Sequence, residues 1–322
     1  MELEKTQVTL PLPVAIVIAG VLIAGAVFVN GRVNVLKSEE VLRNSNEVEQ
    51  LAASATAEEE LVVPRSGVEL PAVWGDLGKK LVSVGAIDQK RFEELYKSQG
   101  TFTKEFDKLL NGENPGKLRI TRENSAYVLN LLWALGLASK NPILDTGEMT
   151  DKRYGGADRF ASTAGWTMAL GNPMDHYSAH KFFNLTAQQQ ALVDKMSRQI
   201  YRPCCNNSTY FPDCNHGMAM LGLLELMASQ GASEAEMYKA SLAVNSYWFP
   251  ETYITIQAYM KNKGIEWKNV KPEEVLGANY SSASGYGRVV SEIPARSVGG
   301  GGGSGCSVGG DSSVPSGSGC GI

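Results

Sequence analysis

The sequence predicts an all-α protein: an irregular multi-helix bundle behind a single N-terminal transmembrane helix, with a disordered Gly/Ser/Cys tail. Three observations predict it. Residues 10–29 run without a charge. Apolar residues from Trp74 onward recur at helical spacing, and no period-two alternation rich in β-branched residues extends beyond Leu118-Arg119-Ile120. At 322 residues and 43% apolar composition the chain can bury a sizeable core, which excludes a peptide scaffold or a wholly disordered chain. Thirty basic against 34 acidic residues leave a net charge of −4. That balance lacks the basic excess that phosphate backbones demand and argues against nucleic acid as a partner. Five cysteines are too few to staple a chain of this length, so packing must hold the fold.

After a stub of residues 1–9, the run LPLPVAIVIAGVLIAGAVFV at 10–29 is long enough to cross the hydrocarbon core of a bilayer as a helix. A buried helix of that length would show a polar stripe, and this run shows none. A cleaved signal peptide is the rival reading, but the run is long for its apolar region and no small-x-small site precedes Asn30-Gly31. Membrane lipid is thus an expected partner. Charge does not orient the span, because Lys5 and the α-amino group face Arg32 and Lys37. Residues 30–61 form a stalk whose stretch 38–60 carries seven Glu and one Arg, with little apolar surface to offset ordering entropy. The tail, 296–322, has eleven Gly within 298–322 together with Cys306 and Cys320, the composition of a flexible coil. The expected globular domain is 62–295.

Within it, Trp74, Leu77, Leu81 and Val84, then Phe92, Leu95 and Tyr96, then Phe102, Phe106, Leu109 and Leu110 mark short amphipathic helices. Turns at Gly85, Gly100 and Gly112 divide them. Residues 123–138 (ENSAYVLNLLWALGLA) are apolar on most faces, which suits a central buried helix ending before Asn141-Pro142. A further helix is expected at 157–170, stopped by Gly171-Asn172-Pro173. Thr186 with Gln189, and Ser233 with Glu236, have capping-box spacing and open two more helices; Gly231 suits the C-terminal cap of the helix before Ser233.

All three histidines and three of the five cysteines fall within residues 176–216. His176 and His180 stand four apart, so on a helix they would share one face and grip one metal; two unrelated surface imidazoles are the alternative. Cys204 and Cys205 fall in a loop between two helices, because Pro203 stops one and Asn206-Asn207 favours a turn. Cys214 and His216 stand at the start of a helix expected over 217–229, where orphan amides and the helix dipole stabilise a thiolate. Three thiolates and an imidazole suit zinc or copper, and Cys204, Cys205, Cys214 and His216, with His176 or His180 as further members, form the expected metal site. Met218 and Met220 beside it continue an apolar helix and are expected in the core.

Residues 185–249 resemble the three-helix domain of the CcmH-type thiol subunit of cytochrome c maturation. RPCCNN at 202–207 stands where that family has its Cys-bearing loop, and Gly231-Ala232-Ser233-Glu234-Ala235-Glu236 matches the turn opening its third helix. The family's two cysteines are separated by two residues and here are adjacent, so the carry-over stops at Cys204 or Cys205 as a thiol. The resemblance implies a membrane-anchored protein facing the extracytoplasmic side, with envelope proteins as partners. Residues 205–214 also resemble the C-x2-S-x3-P-x-C core of CDGSH iron-sulfur proteins. Here the outer Cys is adjacent rather than one residue removed, and His216 follows Cys214 by two residues instead of four.

Three functions follow as expectations: an anchored metal-binding protein, a thiol-disulfide protein of the cell envelope, or a structural or interaction protein with local disulfides. No GxSxG, HExxH or P-loop motif points to a hydrolase.

Overall fold

The computed structural model describes residues 56–293. The chain divides into two units between Glu60 and Leu61, and the second carries every element below. It contains β1 (Val68–Gly75), α1 (Leu77–Ser83), α2 (Gln89–Ser98), α3 (Lys104–Asn111), β2 (Asn114–Ile120), α4 (Ser125–Ala138), α5 (Pro142–Thr146) and α6 (Ala161–Ala164). Then follow α7 (Ala187–Gln199), α8 (Asn215–Ser229), α9 (Glu234–Trp248), α10 (Pro250–Asn262), α11 (Pro272–Val275), α12 (Ala278–Ser281) and α13 (Ala283–Glu292).

Helix dominates, yet the all-α expectation needs correction, since β1 and β2 pair as a two-stranded antiparallel sheet. In β1 the residues Leu70, Ala72 and Trp74 are buried and alternate with partly exposed neighbours. This is a period of two. Pro71 and the small Ala72 hide it, and Trp74 falls into register with the helix that begins only at Leu77. The register slips between Glu69 and Val73, over Pro71, which has no amide hydrogen to give to a ladder. Val73 finds another partner: Gln230, just past α8, donates through Nε2 to Val73 O at 2.7 Å and accepts from Val73 N at 2.7 Å. One side-chain amide thus replaces a neighbouring strand.

A second correction concerns the membrane. Among the described residues no helix is long and apolar enough to cross a bilayer, so single-pass anchoring of the chain in a cell membrane is not supported. Residues 10–29, on which that expectation rested, lie outside the described residues, as do most of the stalk and the tail with Cys306 and Cys320.

The helix expected at 157–170 is broken into a 3-10 turn (Ala157–Arg159) and the single turn of α6. Gly165 follows, and Trp166 then turns inward to donate its Nε1–H to Ala86 O. The stretch holding His176 and His180 is likewise no α-helix. A 3-10 turn (Pro173–Asp175) is followed by Ser178 at φ 50°, which ends helical geometry between the two imidazoles.

The centre of the unit is the crossing of α4 and α8, two helices buried along most of their length. Their backbones touch at glycines. A Cβ on Gly136 would lie 2.0 Å from Met218 O, and one on Gly222 would lie 2.6 Å from Leu132 O. Both capping boxes form as the spacing predicts, Thr186 with Gln189 on α7 and Ser233 with Glu236 on α9. The crossing fixes α8 between two neighbours, with its C-terminal end against β1 and its N-terminal end at the cysteine loop.

Candidate metal centre

The loop after α7 is closed at its base by backbone pairing. Thr209 N donates to Ile200 O at 2.8 Å, and Tyr201 bridges Ser208. From outside, the first residues of α13 hold its tip: Ala283 N donates to Cys205 O at 2.8 Å and Ser284 N to Asn206 Oδ1 at 2.9 Å. The chain returns through Asp213 to Cys214, which is the N-cap of α8 and accepts the Gly217 amide hydrogen on Sγ at 3.4 Å.

This return brings Cys204 Sγ to 3.5 Å from Cys214 Sγ. Both sulfurs and a ring nitrogen of His216 lie within 4.8 Å of one another. Cys205, Asp213 and Cys214 form a second group with the same spacing. His216 is 7% exposed, packed 4.4 Å from the Phe249 ring centroid, and its Nδ1 is buried with no hydrogen-bond partner. A buried ring nitrogen left unpaired is costly unless a ligand or ion completes it. Cys204 and Cys205 are partly exposed and Cys214 is buried.

Arg202 organises the site from beneath. It is 1% exposed and donates from Nε to Cys214 Sγ at 3.1 Å, from Nη1 to Asn207 O at 3.0 Å and from Nη2 to Phe211 O at 2.8 Å. Nη2 also forms a short ion pair with Asp213 Oδ1. Asn207 Nδ2 holds the other carboxylate oxygen of Asp213 at 2.8 Å. The guanidinium lies flat across the first turn of α8, where a Cβ on Gly217 would meet its Cζ at 2.6 Å. Spacing alone does not single out Arg202, Asp213 or Gly217. The signal that could have found them is the arginine placed just ahead of the cysteine pair, which had to be buried once that loop folded against an apolar helix.

The three thiols are unequal. Hydrogen bonds from Cys204 and Cys205 hold the Cys214 thiol well below the ordinary cysteine range against the effect of burial, and the Arg202 charge adds to them. Cys204, as the donor in those contacts with Cys205 and Cys214 and by its burial, is pushed up. For Cys205 the Cys204 contact lowers the value, but the Cys214 contact and burial outweigh it and push the thiol up to about 11. Of the three thiols, Cys214 is thus the one most favoured to ionise. Two sulfurs bound at 2.3 Å to one tetrahedral zinc stand about 3.8 Å apart, close to the spacing of Cys204 and Cys214.

His176 and His180 do not join this cluster, and their expected place as metal ligands beside the thiols is corrected. Neither belongs to a group of three or more converging ligand atoms among the described residues. They bond to each other instead, His176 Nδ1 to His180 Nε2 at 3.1 Å, while His176 Nε2 reaches Leu170 O at 3.0 Å. A carbonyl only accepts, so His176 Nε2 carries the hydrogen and its Nδ1 accepts from His180 Nε2–H. Met218 and Met220 are buried in the core and point to no role beyond packing.

No protein-family model, curated protein or solved structure matches the chain.

Proposed function

We propose that the protein binds one zinc ion through Cys204, Cys214 and His216, and that the ion ties the 202–214 loop to the start of α8. The observation that carries this reading is the mutual approach of two sulfurs and a ring nitrogen of His216 within 4.8 Å, on an imidazole whose Nδ1 is buried and unpartnered. Charge supports a divalent ion. Arg202 and Asp213 cancel each other, so two thiolates and Zn²⁺ leave the pocket neutral, whereas copper(I) would leave one uncompensated negative charge in it. Near-complete burial of Cys214 and His216 suits a structural site, in which binding energy is folding energy.

The test is elemental analysis and native mass spectrometry of the full chain purified under reducing conditions. One zinc per chain is expected, falling below a tenth of an equivalent in Cys214→Ser and in His216→Ala. A metal-free wild type, or unchanged loading in both variants, overturns the reading. Copper at one equivalent keeps the ligand set and replaces the ion.

A further inference from the structure

We propose that Cys204 and Cys214 form a redox gate on the metal site: a hydroperoxide joins the two sulfurs as a disulfide and expels the ion. The inference rests on the zinc reading above and adds its regulation.

Geometry comes first. The two sulfurs stand 3.5 Å apart, and a disulfide needs about 2.05 Å, so a closure of roughly 1.5 Å suffices. The partners differ in freedom. Cys214 is fixed by the Gly217 amide at 3.4 Å and Arg202 Nε at 3.1 Å, on the first turn of a helix locked in the core. Cys204 belongs to the loop and is partly exposed, so an oxidant reaches it before Cys214. The Cys205 sulfur also lies within 4.8 Å of Cys214, but it faces Asn207 O at 3.9 Å and Asp213 Oδ1 at 4.0 Å as well, whereas Cys204 faces Cys214 at 3.5 Å.

Charge comes second. With Arg202 and Asp213 paired, the zinc dithiolate is neutral, and so is the disulfide. A bare pair of thiolates would put two anions, the Cys214 one buried, beside one already neutralised cation. Ion and disulfide are therefore alternative ways to discharge the same pocket.

The chemistry balances. The Cys204 sulfur attacks the distal oxygen of ROOH; an S–O bond forms, the O–O bond breaks, and ROH leaves with one proton from solvent. The Cys214 thiolate, aligned by Arg202, then attacks the Cys204 sulfur; the S–S bond forms and the S–O bond breaks, and the oxygen departs as water with a second solvent proton. The sum is two thiolates, ROOH and two protons giving one disulfide, ROH and water. Two electrons pass from sulfur to peroxide, and Zn²⁺ loses two of its ligands.

The experiment uses the full chain carrying Cys306→Ser and Cys320→Ser, so that Cys204, Cys205 and Cys214 are the only thiols. The zinc-loaded protein is titrated with hydrogen peroxide while released zinc is read with a chromogenic chelator, and the products are mapped by peptide mass spectrometry. One zinc released per chain, a Cys204–Cys214 crosslink, and reloading after reduction in the presence of zinc support the gate. Adding Cys205→Ser should leave release and crosslink intact. Zinc bound before peroxide but retained after it overturns the gate and leaves the zinc reading standing. So does release with Cys205 in the crosslink, or with sulfinic or sulfonic acids in place of a disulfide. Absence of zinc before peroxide overturns the zinc reading, and the gate with it.

Discussion

Glu225 is a carboxyl group buried at the heart of α8 among neutral partners, Ser139 Oγ and Asn141 Nδ2, the latter at 2.7 Å. Burial pushes it up to about 8, more than those two hydrogen bonds can offset. The unfolded chain loses this proton near 4.5 and the folded chain holds it to about 8. Between those values the native state binds more protons, so the group makes stability fall as pH rises. Glu225→Gln mimics the protonated acid and keeps both partners. The melting temperatures of variant and wild type should therefore coincide near pH 4.5 and diverge up to pH 8, the variant being higher; parallel curves would refute the assignment. Arg202 is the second decisive residue. Gly217→Ala places a methyl 2.6 Å from its Cζ and should push the guanidinium off Cys214. The expected result is a thiol pKa raised toward that of free cysteine, read from thiolate absorbance in metal-free protein. Zinc affinity should fall by roughly tenfold, as when an outer-shell partner of a ligand is lost.

Among the elements, α4 and α8 depend on backbone contact rather than on side-chain interdigitation alone. Gly136→Ala would drive its methyl to 2.0 Å from Met218 O, backbone that cannot yield without parting the helices. We expect a loss of at least about 2 kcal/mol in urea unfolding, typical of overpacking in a dense core. The same change at Gly100, where a Cβ would meet nothing within 4 Å, probes the other cost of replacing glycine. Its φ of 69° strains any other residue, so that loss should be smaller but real. The capping boxes of α7 and α9 were legible in sequence because both halves lie three residues apart. The true course of 157–183 was not. Its turns are set by contacts such as Trp166 to Ala86 and Ser162 N to Asp213 O, which join segments far apart in the chain.

Across the whole unit, the loop is clamped by α13 on one side and by α8 on the other, while the α4–α8 crossing stands without it. Removing the ion with a chelator should therefore leave the far-ultraviolet circular dichroism spectrum helical while lowering the melting temperature. Free zinc at a hundred times its Kd should add about 2.7 kcal/mol to unfolding. Loss of helical signal on chelation would show that the ion, and not the glycine crossing, holds the core.

The sequence by itself determined the buried helices, their caps, the position of Cys214 at a helix start and the grouping of thiols and histidines into one stretch. These are properties of neighbours within a few residues, where periodicity and capping operate. Tertiary structure alone decided the rest. It paired two strands whose partners lie 39 and more residues apart and laid Arg202 under Cys214 through a glycine. It also brought a ring nitrogen of His216 beside two sulfurs and left its Nδ1 unpaired, while turning His176 and His180 toward each other. The reason is physical: a ligand set is defined by distances of a few ångströms, and those distances are fixed by which buried faces meet, not by spacing along the chain.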